Sequence, residues 1–345
     1  MQISIINKIE DFLLIKEDWN ILFSRSNCTV FQSFDFNYYS WKHELISDNR
    51  NQLAIAVITI NEIVVAIFPF YIDSNKQLRF INDVHADFCD CITQKQIDIE
   101  KVLDTLKEQF PIKNIQLINL KVDSIIKTFF EITKDKYLVL KPFEKYAELL
   151  LEKGNFPENY SAFRSKQKTE FRRIKKKNEG KLHKIFSADK LDFPKKDILS
   201  LKEKMIDLGF RDKSYLPTSQ LKLIESLYIS SKLIISAVKS EKKTNAISFI
   251  LQKSDEYLFW IDMFDNTTMI NIYNYISLMN SLSSENSVKM NLGRGAYDYK
   301  ITNFKPDVQQ LFAVFIFSSL FQKFTFLFFE NIKRIIKPIY QKIKG

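Results

Sequence analysis

The spacing of apolar positions changes along the chain. Residues 1–7 read as a strand. Over 9–24, Phe12, Ile15, Trp19 and Phe23 recur at helical spacing. Phe31-Gln-Ser33 leads into a second, aromatic helix through Tyr38, Trp41 and His43. Residues 53–60 and 62–71 are two apolar runs meeting at Asn61 and Glu62, which predicts a hairpin. A strand over 78–81, a helix over 97–109, a strand over 115–120 and an extended stretch over 137–151 complete the first half.

Glycine and proline punctuate Glu152-Lys-Gly-Asn-Phe-Pro157, and the composition turns basic after it. The chain therefore divides into 1–153, 154–318 and 319–345. Residues 157–179 predict a helix with Tyr160, Phe163, Phe171 and Ile174 as its apolar stripe. Arg164, Lys168, Arg172 and Lys176 recur every four residues on another face. This row is either a solvated face or a groove wall that meets phosphate or tRNA. The order that follows is a strand (181–186), two helices (195–208, 219–230), three strands (233–239, 245–252, 256–264), a helix (270–284) and strands over 287–292 and 309–317. The expected class is α/β, more closely α+β, with mostly antiparallel mixed sheets.

Composition narrows this. At 345 residues the chain is long enough for two cores. The net charge of +10 points to anionic partners. Cys28, Cys89 and Cys91 make no even disulfide framework, and three histidines show no metal-site spacing. A reducing, cytoplasmic setting fits, and the charged N-terminal stretch does not read as a signal peptide. Glycine is scarce, with only 6 in the chain, yet Gly293 and Gly295 bracket Arg294 at the end of a predicted strand. Such a strand end can turn sharply and let a ligand approach its backbone. Arg294 offers a rigid cationic fork, and Tyr297, Asp298, Tyr299 and Lys300 follow at once.

Phe31-Gln-Ser33 with Trp41, Ala86-Asp-Phe-Cys-Asp90, the basic run from Tyr160 through Arg164 to Phe171-Arg-Arg173, and Arg294-Gly295 with Tyr299-Lys300 and Phe304 form an ordered set. The set resembles CelD/BcsL-type acetyltransferases of the GNAT superfamily, built as two GNAT-like halves and similar to FemAB aminoacyltransferases. The resemblance implies acyl transfer, usually from acetyl-CoA, to an amine or hydroxyl of a cell-surface polysaccharide or glycolipid precursor, with no metal. It implies that strands 256–264 and 287–292 splay around the thioester, with the pyrophosphate at the N-terminus of helix 270–284. The loop there, Asp265 to Asn271, lacks glycine, so Thr267 and Thr268 are expected to bind by their hydroxyls, one capping the helix. An aminoacyl-tRNA or an acyl carrier protein is the alternative donor, and a degenerate pair that only binds a partner is the rival. Arg294 and Lys300 are expected on the donor, and Asp298, Tyr297 and Tyr299 in proton transfer or acceptor orientation. Asp87 matches a family aspartate and is expected among the catalytic residues, and Arg164, Lys168 and Arg172 are expected to bind anions.

The C-terminus is apolar from Leu311 to Phe329 but is interrupted by Ser318, Ser319, Gln322, Lys323 and Thr325. A spanning helix needs about 20 predominantly apolar residues. A strand to 317 and a helix over 319–337 is the better division. Phe321, Phe324, Phe328, Ile332 and Ile335 share one face of that helix. Lys333, Arg334, Lys337, Lys342 and Lys344 follow with no acid after Glu330. The face either docks on the protein's own core or attaches peripherally to an anionic cytoplasmic leaflet.

Overall fold

In the computed structural model the backbone is described for residues 1–241 and 243–344, and the side chains for these as far as residue 332. The chain folds as two units that are not contiguous in sequence. One comprises Met1–Asn27, Asp48–Phe143 and the chain from Leu311 onward; the other comprises Cys28–Ser47 and Glu144–Gln310. These borders differ from the linear division at 153/154 and 318/319. The aromatic run after Cys28 is the reason. Phe31 and Phe36 set their rings 6.5 and 5.9 Å from that of Trp260, far along the sequence.

The first unit contains an antiparallel sheet ordered Gln2–Ile6, Ile55–Ile60, Ile63–Phe68, Ile92–Thr93. The hairpin turns at Asn61 and Glu62, both at positive φ (48° and 65°). A two-residue turn that follows the twist of its strands requires that conformation twice. A second ladder runs through Phe70–Ile72, Gln77–Phe80 and Asn114–Leu120. The strand Asp307–Ile316 joins it through Phe312↔Leu120 to Ile316↔Ile115. The helix expected over 9–24 breaks at Ile15 into Ile9–Leu14 and Lys16–Ser24.

The helix Ile125–Ile132 was not foreseen, because a residue distant in sequence completes its start. Ser124 accepts from the Lys127 N–H, and the Asp90 carboxylate accepts from Ile125 N (3.0 Å) and Ile126 N (3.4 Å). Asp90 also holds its neighbour Cys91 N at 2.9 Å.

At the C-terminus the helix is Leu320–Lys344, longer than expected. It docks through Phe326, whose ring lies 4.6 Å from Phe315 and 5.1 Å from Phe317. The expectation that Phe321, Phe324 and Phe328 form an inward face is corrected: they are 80%, 63% and 62% exposed. Phe326 lies about 100° per residue away from Phe324 and Phe328 around the axis, so one set excludes the other. Ile335 and the basic run from Lys333 to Lys344 lie outside the described side chains.

In the second unit the strands lie in the order Leu182–Phe186, Leu233–Ser240, Lys243–Lys253, Glu256–Phe264, Val288–Arg294, followed by the end of Leu138–Leu151. All neighbours are antiparallel except Glu256–Phe264 with Val288–Arg294, which are parallel. The helices Ser165–Lys177 and Ile270–Ser283 bury Phe171, Ile174, Tyr275 and Ile276 in one core with Ile250, Phe259 and Met290. The basic helix starts at Ser165 rather than at 157. Tyr160 and Phe163 precede it and stack edge-on, 4.7 Å apart, beside Phe156 and Phe171.

Replacing Asp90 with Ala leaves N–H groups at the start of Ile125–Ile132 without their carboxylate. The expected cost is about 2 kcal/mol, read as a lower urea midpoint. An unchanged midpoint would contradict this role.

Candidate functional site

The parallel pair in the second unit comes apart. Pairing runs from Glu256↔Lys289 to Leu258↔Asn291 and then stops, while both strands continue, to Phe264 and Arg294. Each strand carries a bulge that explains this. On Val288–Arg294 the antiparallel register with the neighbouring strand jumps from Asn291↔Glu148 to Arg294↔Tyr146, three steps against two. Gly293, at φ 77°, sits in the jump and donates its N–H to Asn291 Oδ1 at 2.8 Å. Gly295, at φ 83°, donates to Lys145 O at 2.7 Å, and a Cβ there would lie 2.6 Å from the Tyr297 ring. Glycine is therefore required at 295 both for conformation and for space.

The bulge turns backbone carbonyls inward, and Lys300 answers them. Its ammonium donates to Leu292 O (2.5 Å) and Arg294 O (3.3 Å) and lies 5.3 Å from the centre of the Tyr297 ring. The residue is only 5% exposed.

On Glu256–Phe264 the register passes from Ile250↔Phe259 to Phe249↔Ile261, so Trp260 is the extra residue of the bulge. A bulge changes which face later side chains meet. Phe259 and Asp262, three apart, consequently both meet Tyr275. Its ring stacks on Phe259 at 3.9 Å, and its hydroxyl donates to Asp262 Oδ2. Tyr299 lies beside this pair, its phenol acted on by the Asp262 charge and by the Tyr275 hydroxyl.

A second branch reaches the same carboxylate. Ser248 Oγ donates to Asp262 Oδ1 at 2.6 Å. Asn274 Nδ2 donates to Ser248 Oγ at 3.0 Å and to the Ser236 carbonyl at 3.3 Å, which fixes its amide orientation. Ser236 Oγ then donates to Asn274 Oδ1 at 2.7 Å. With that proton spent, Ser236 Oγ can only accept from His183 Nε2, 2.8 Å away. His183 is thus the Nε2–H tautomer, at the wall of a cleft of about 680 Å³ that Lys175, Lys176 and Tyr273 also line.

The side chains from His183 through Ser236, Asn274 and Ser248 lead to Asp262, while the Asn274 amide also reaches back to the Ser236 carbonyl. Burial raises the pKa of Asp262, while the Ser248 and Tyr275 hydrogen bonds and the charges of Lys300 and Arg211 pull it down. Burial pushes Tyr215, whose hydroxyl donates to the Asp262 carbonyl at 3.1 Å, up to about 12. Burial also lifts Tyr275 and Tyr299 above the usual phenol range, with the Asp262 charge adding to it. Tyr299 is 38% exposed as a residue, so its hydroxyl is turned inward while part of the ring meets solvent.

The expected site residues fall in several places. Arg294, Tyr297, Asp298, Tyr299 and Lys300 lie on one strand end and the short helix Asp298–Phe304 that follows it, where only a turn was expected. Tyr297 and Tyr299 stack with ring centres 6.2 Å apart, and Asp298 is exposed in the first turn. Asp87 is buried in the other unit. Lys168 donates to the Glu158 carbonyl, and Arg172 grips the Glu158 carboxylate with two bonds (3.0 and 2.8 Å). Arg164 is the N-cap residue of the basic helix.

Neither Thr267 nor Thr268 caps Ile270–Ser283, which corrects that expectation. The N-cap is Met269 in the left-handed region and makes no side-chain cap bond. Thr267 Oγ1 donates to Asp265 Oδ1 (2.5 Å) and Thr268 Oγ1 to Asn178 Oδ1 (2.7 Å). Asn266, Thr268 and Met269 all have positive φ (55°, 49° and 55°), so the loop takes the conformations that glycine would ease. Asp265 is buried there. Against that burial, Thr267, Lys204 and Asn245 hold its pKa down to about 2. The loop places a carboxylate, with Lys204 already on it at 2.9 Å, where the diphosphate of CoA would need an open cradle.

Sequence reading missed Asp262, Tyr275, Tyr215 and Arg211. The available signal was one aspartate inside the apolar strand Glu256–Phe264, with Ser236, Ser248 and Asn274 at otherwise apolar positions.

No family model and no curated protein sequence matches the chain. Solved structures do. FemX superposes with a TM-score of 0.60 at 9% identity, covering 92% of this chain and 98% of its own. The C-terminal DUF2156 domain of a putative lysylphosphatidylglycerol synthetase from Agrobacterium fabrum gives 0.59 at 10% identity, covering 94% and 97%. A tandem GNAT protein from the clavulanic acid biosynthesis pathway gives 0.53 at 8% identity, covering 91% and 98%. The chain therefore has the tandem GNAT fold. The likeness is one of fold and does not single out CelD/BcsL-type enzymes.

Burial holds the His183 pKa down to about 4, below the usual 6.5. A depressed histidine contributes stability that is present above pH 6.5 and is lost as pH falls toward 4, up to about 3 kcal/mol. Urea unfolding of the wild type and His183→Gln should diverge across that window, the variant being the flatter. Parallel curves would contradict the buried neutral imidazole.

Proposed function

We propose that the second unit transfers an acyl group from an activated carboxyl donor to an amine or hydroxyl. The observation that carries this reading is the splay itself: a parallel pair opened by two bulges, beside a half-buried carboxylate bonded to Tyr275, with Tyr299 next to it. In this reading the donor carbonyl enters beyond Leu258 and Asn291, and strand-edge N–H groups of Glu256–Phe264 polarise it. The acceptor attacks the carbonyl carbon and loses its proton to the Tyr299 oxygen. Tyr299 passes its own proton to Tyr275, and Tyr275 passes one to Asp262. The carbon–heteroatom bond to the leaving group then breaks, and the leaving group recovers that proton through the same three groups. Arg294 supplies a fixed positive charge for an anionic part of donor or acceptor. Lys300 holds the bulge open and balances Asp262.

Acetyl-CoA is the first donor to test, with a glycan or glycolipid precursor as acceptor, met on the cytoplasmic side. The second reading is FemAB-like transfer from an aminoacyl-tRNA. The loop Asp265–Met269 favours it, since its carboxylate and engaged threonines suit a CoA diphosphate poorly. Asp87, Asp298, Arg164, Lys168 and Arg172 remain candidates for acceptor or polyanion contacts under either reading.

Equilibrium binding with radiolabelled acetyl-CoA and with aminoacyl-tRNA separates the readings. Saturable acetyl-CoA binding supports acetyl transfer, and binding of the charged tRNA alone supports the second. Binding of neither favours a binding module. With the donor that binds, Tyr299→Phe should lower turnover by about 10²-fold with a melting temperature within about 2 °C of wild type. Full turnover in that variant would exclude the tyrosine relay.

A further inference from the structure

The C-terminal helix carries an observation that no acyl-transfer chemistry uses. Its inner face is settled by Phe326, packed with Phe315 and Phe317. Its outer face shows Phe321 (80% exposed), Phe324 (63%) and Phe328 (62%) at i, i+3 and i+7, with Phe329 (56%) beside them. Single exposed apolar residues are ordinary, but a contiguous stripe of phenyl rings on one helix face is not. The helix cannot roll to hide this stripe without giving up the Phe326 contacts.

We propose that this face lies on an anionic lipid surface, its phenyl rings at the level of the acyl–headgroup boundary. Charge selects that occupant. After Glu330 the sequence carries Lys333, Arg334, Lys337, Lys342 and Lys344 and no acid. Glu330 itself is tied to Lys141. Five cations that follow an apolar stripe in sequence repel another copy of themselves and are drawn to acidic headgroups. The contact runs along the surface, because the inner face of the helix stays on Phe315 and Phe317. The stripe lies in the unit that holds neither Asp262 nor Tyr299, and the inference stands whether or not acyl transfer does.

The test uses the full chain and flotation with two kinds of vesicle: phosphatidylcholine mixed with phosphatidylglycerol, and phosphatidylcholine alone. The wild type should float with the mixed vesicles, less so in high salt, and remain at the bottom with the neutral ones. A triple variant, Phe321→Asp, Phe324→Asp and Phe328→Asp, should partition at least about tenfold less. It should keep the wild-type melting curve, because the substituted rings touch little of the core. Equal flotation of variant and wild type overturns the proposal, as does a wild type that floats with neither vesicle. A wild-type dimer in light scattering that the triple variant abolishes also overturns it, because the stripe would then be a self-association face.

Discussion

A half-buried carboxylate needs partners, and in this protein the partners of Asp262 order one face of a sheet. Tyr275 and a hydrogen-bonded chain from His183 end on its two oxygens, with Tyr299 beside Tyr275. Leaving an ionised carboxylate unpaired in such a setting costs several kcal/mol. Ser236, Ser248 and Asn274 are therefore held in one rotamer each, and the His183 tautomer follows from theirs. Asn274 interrupts the His183 branch for protons in both directions, because an amide donates and accepts hydrogen bonds without passing a proton along. The carboxylate thus has one side closed to proton exchange.

Backbone geometry and electrostatics support each other at the splay. The bulge at Gly293 frees carbonyls that would be costly if left alone, and the Lys300 ammonium binds them. That same ammonium offsets the charge of Asp262. The bulge at Trp260 turns Asp262 toward Tyr275. Removing either irregularity would close the ladder or turn the carboxylate away. The loop at the start of Ile270–Ser283 is different: three non-glycine residues hold left-handed conformations there. Strain of this kind persists only where surrounding contacts fix it. The bonds of Asp265, Asn178 and Lys181 to Thr267 and Thr268 supply that fixing.

Much of the fold was legible because period-2 and period-3.6 patterns are local. The strand order of the second unit, the hairpin at Asn61-Glu62 and the glycine-bracketed arginine all follow from neighbours in sequence. What escaped depends on residues far apart. The start of Ile125–Ile132 is completed by Asp90, and the aromatic run after Cys28 seeks Trp260. The inner face of the last helix is chosen by Phe315 and Phe317 rather than by its own periodicity. The same limit applies at the site. Arg294 and Lys300 stood out by their spacing, whereas Asp262 looked like one polar interruption in an apolar strand. Its meaning comes from Tyr275, Ser248 and Lys300, which only the fold brings to it. Donor identity is hardest to read, since the residues at the helix start depart from the glycine-rich pattern and the backbone compensates.

The most direct test of the account is a crystal structure of the protein with a hydrolysis-resistant analogue of whichever donor binds. The account predicts the acyl carbonyl lodged between Glu256–Phe264 and Val288–Arg294, beyond Leu258 and Asn291, with its reactive carbon within reach of the Tyr299 hydroxyl. An analogue bound elsewhere, with the two strands closed and Tyr299 still sealed against Tyr275, would contradict it.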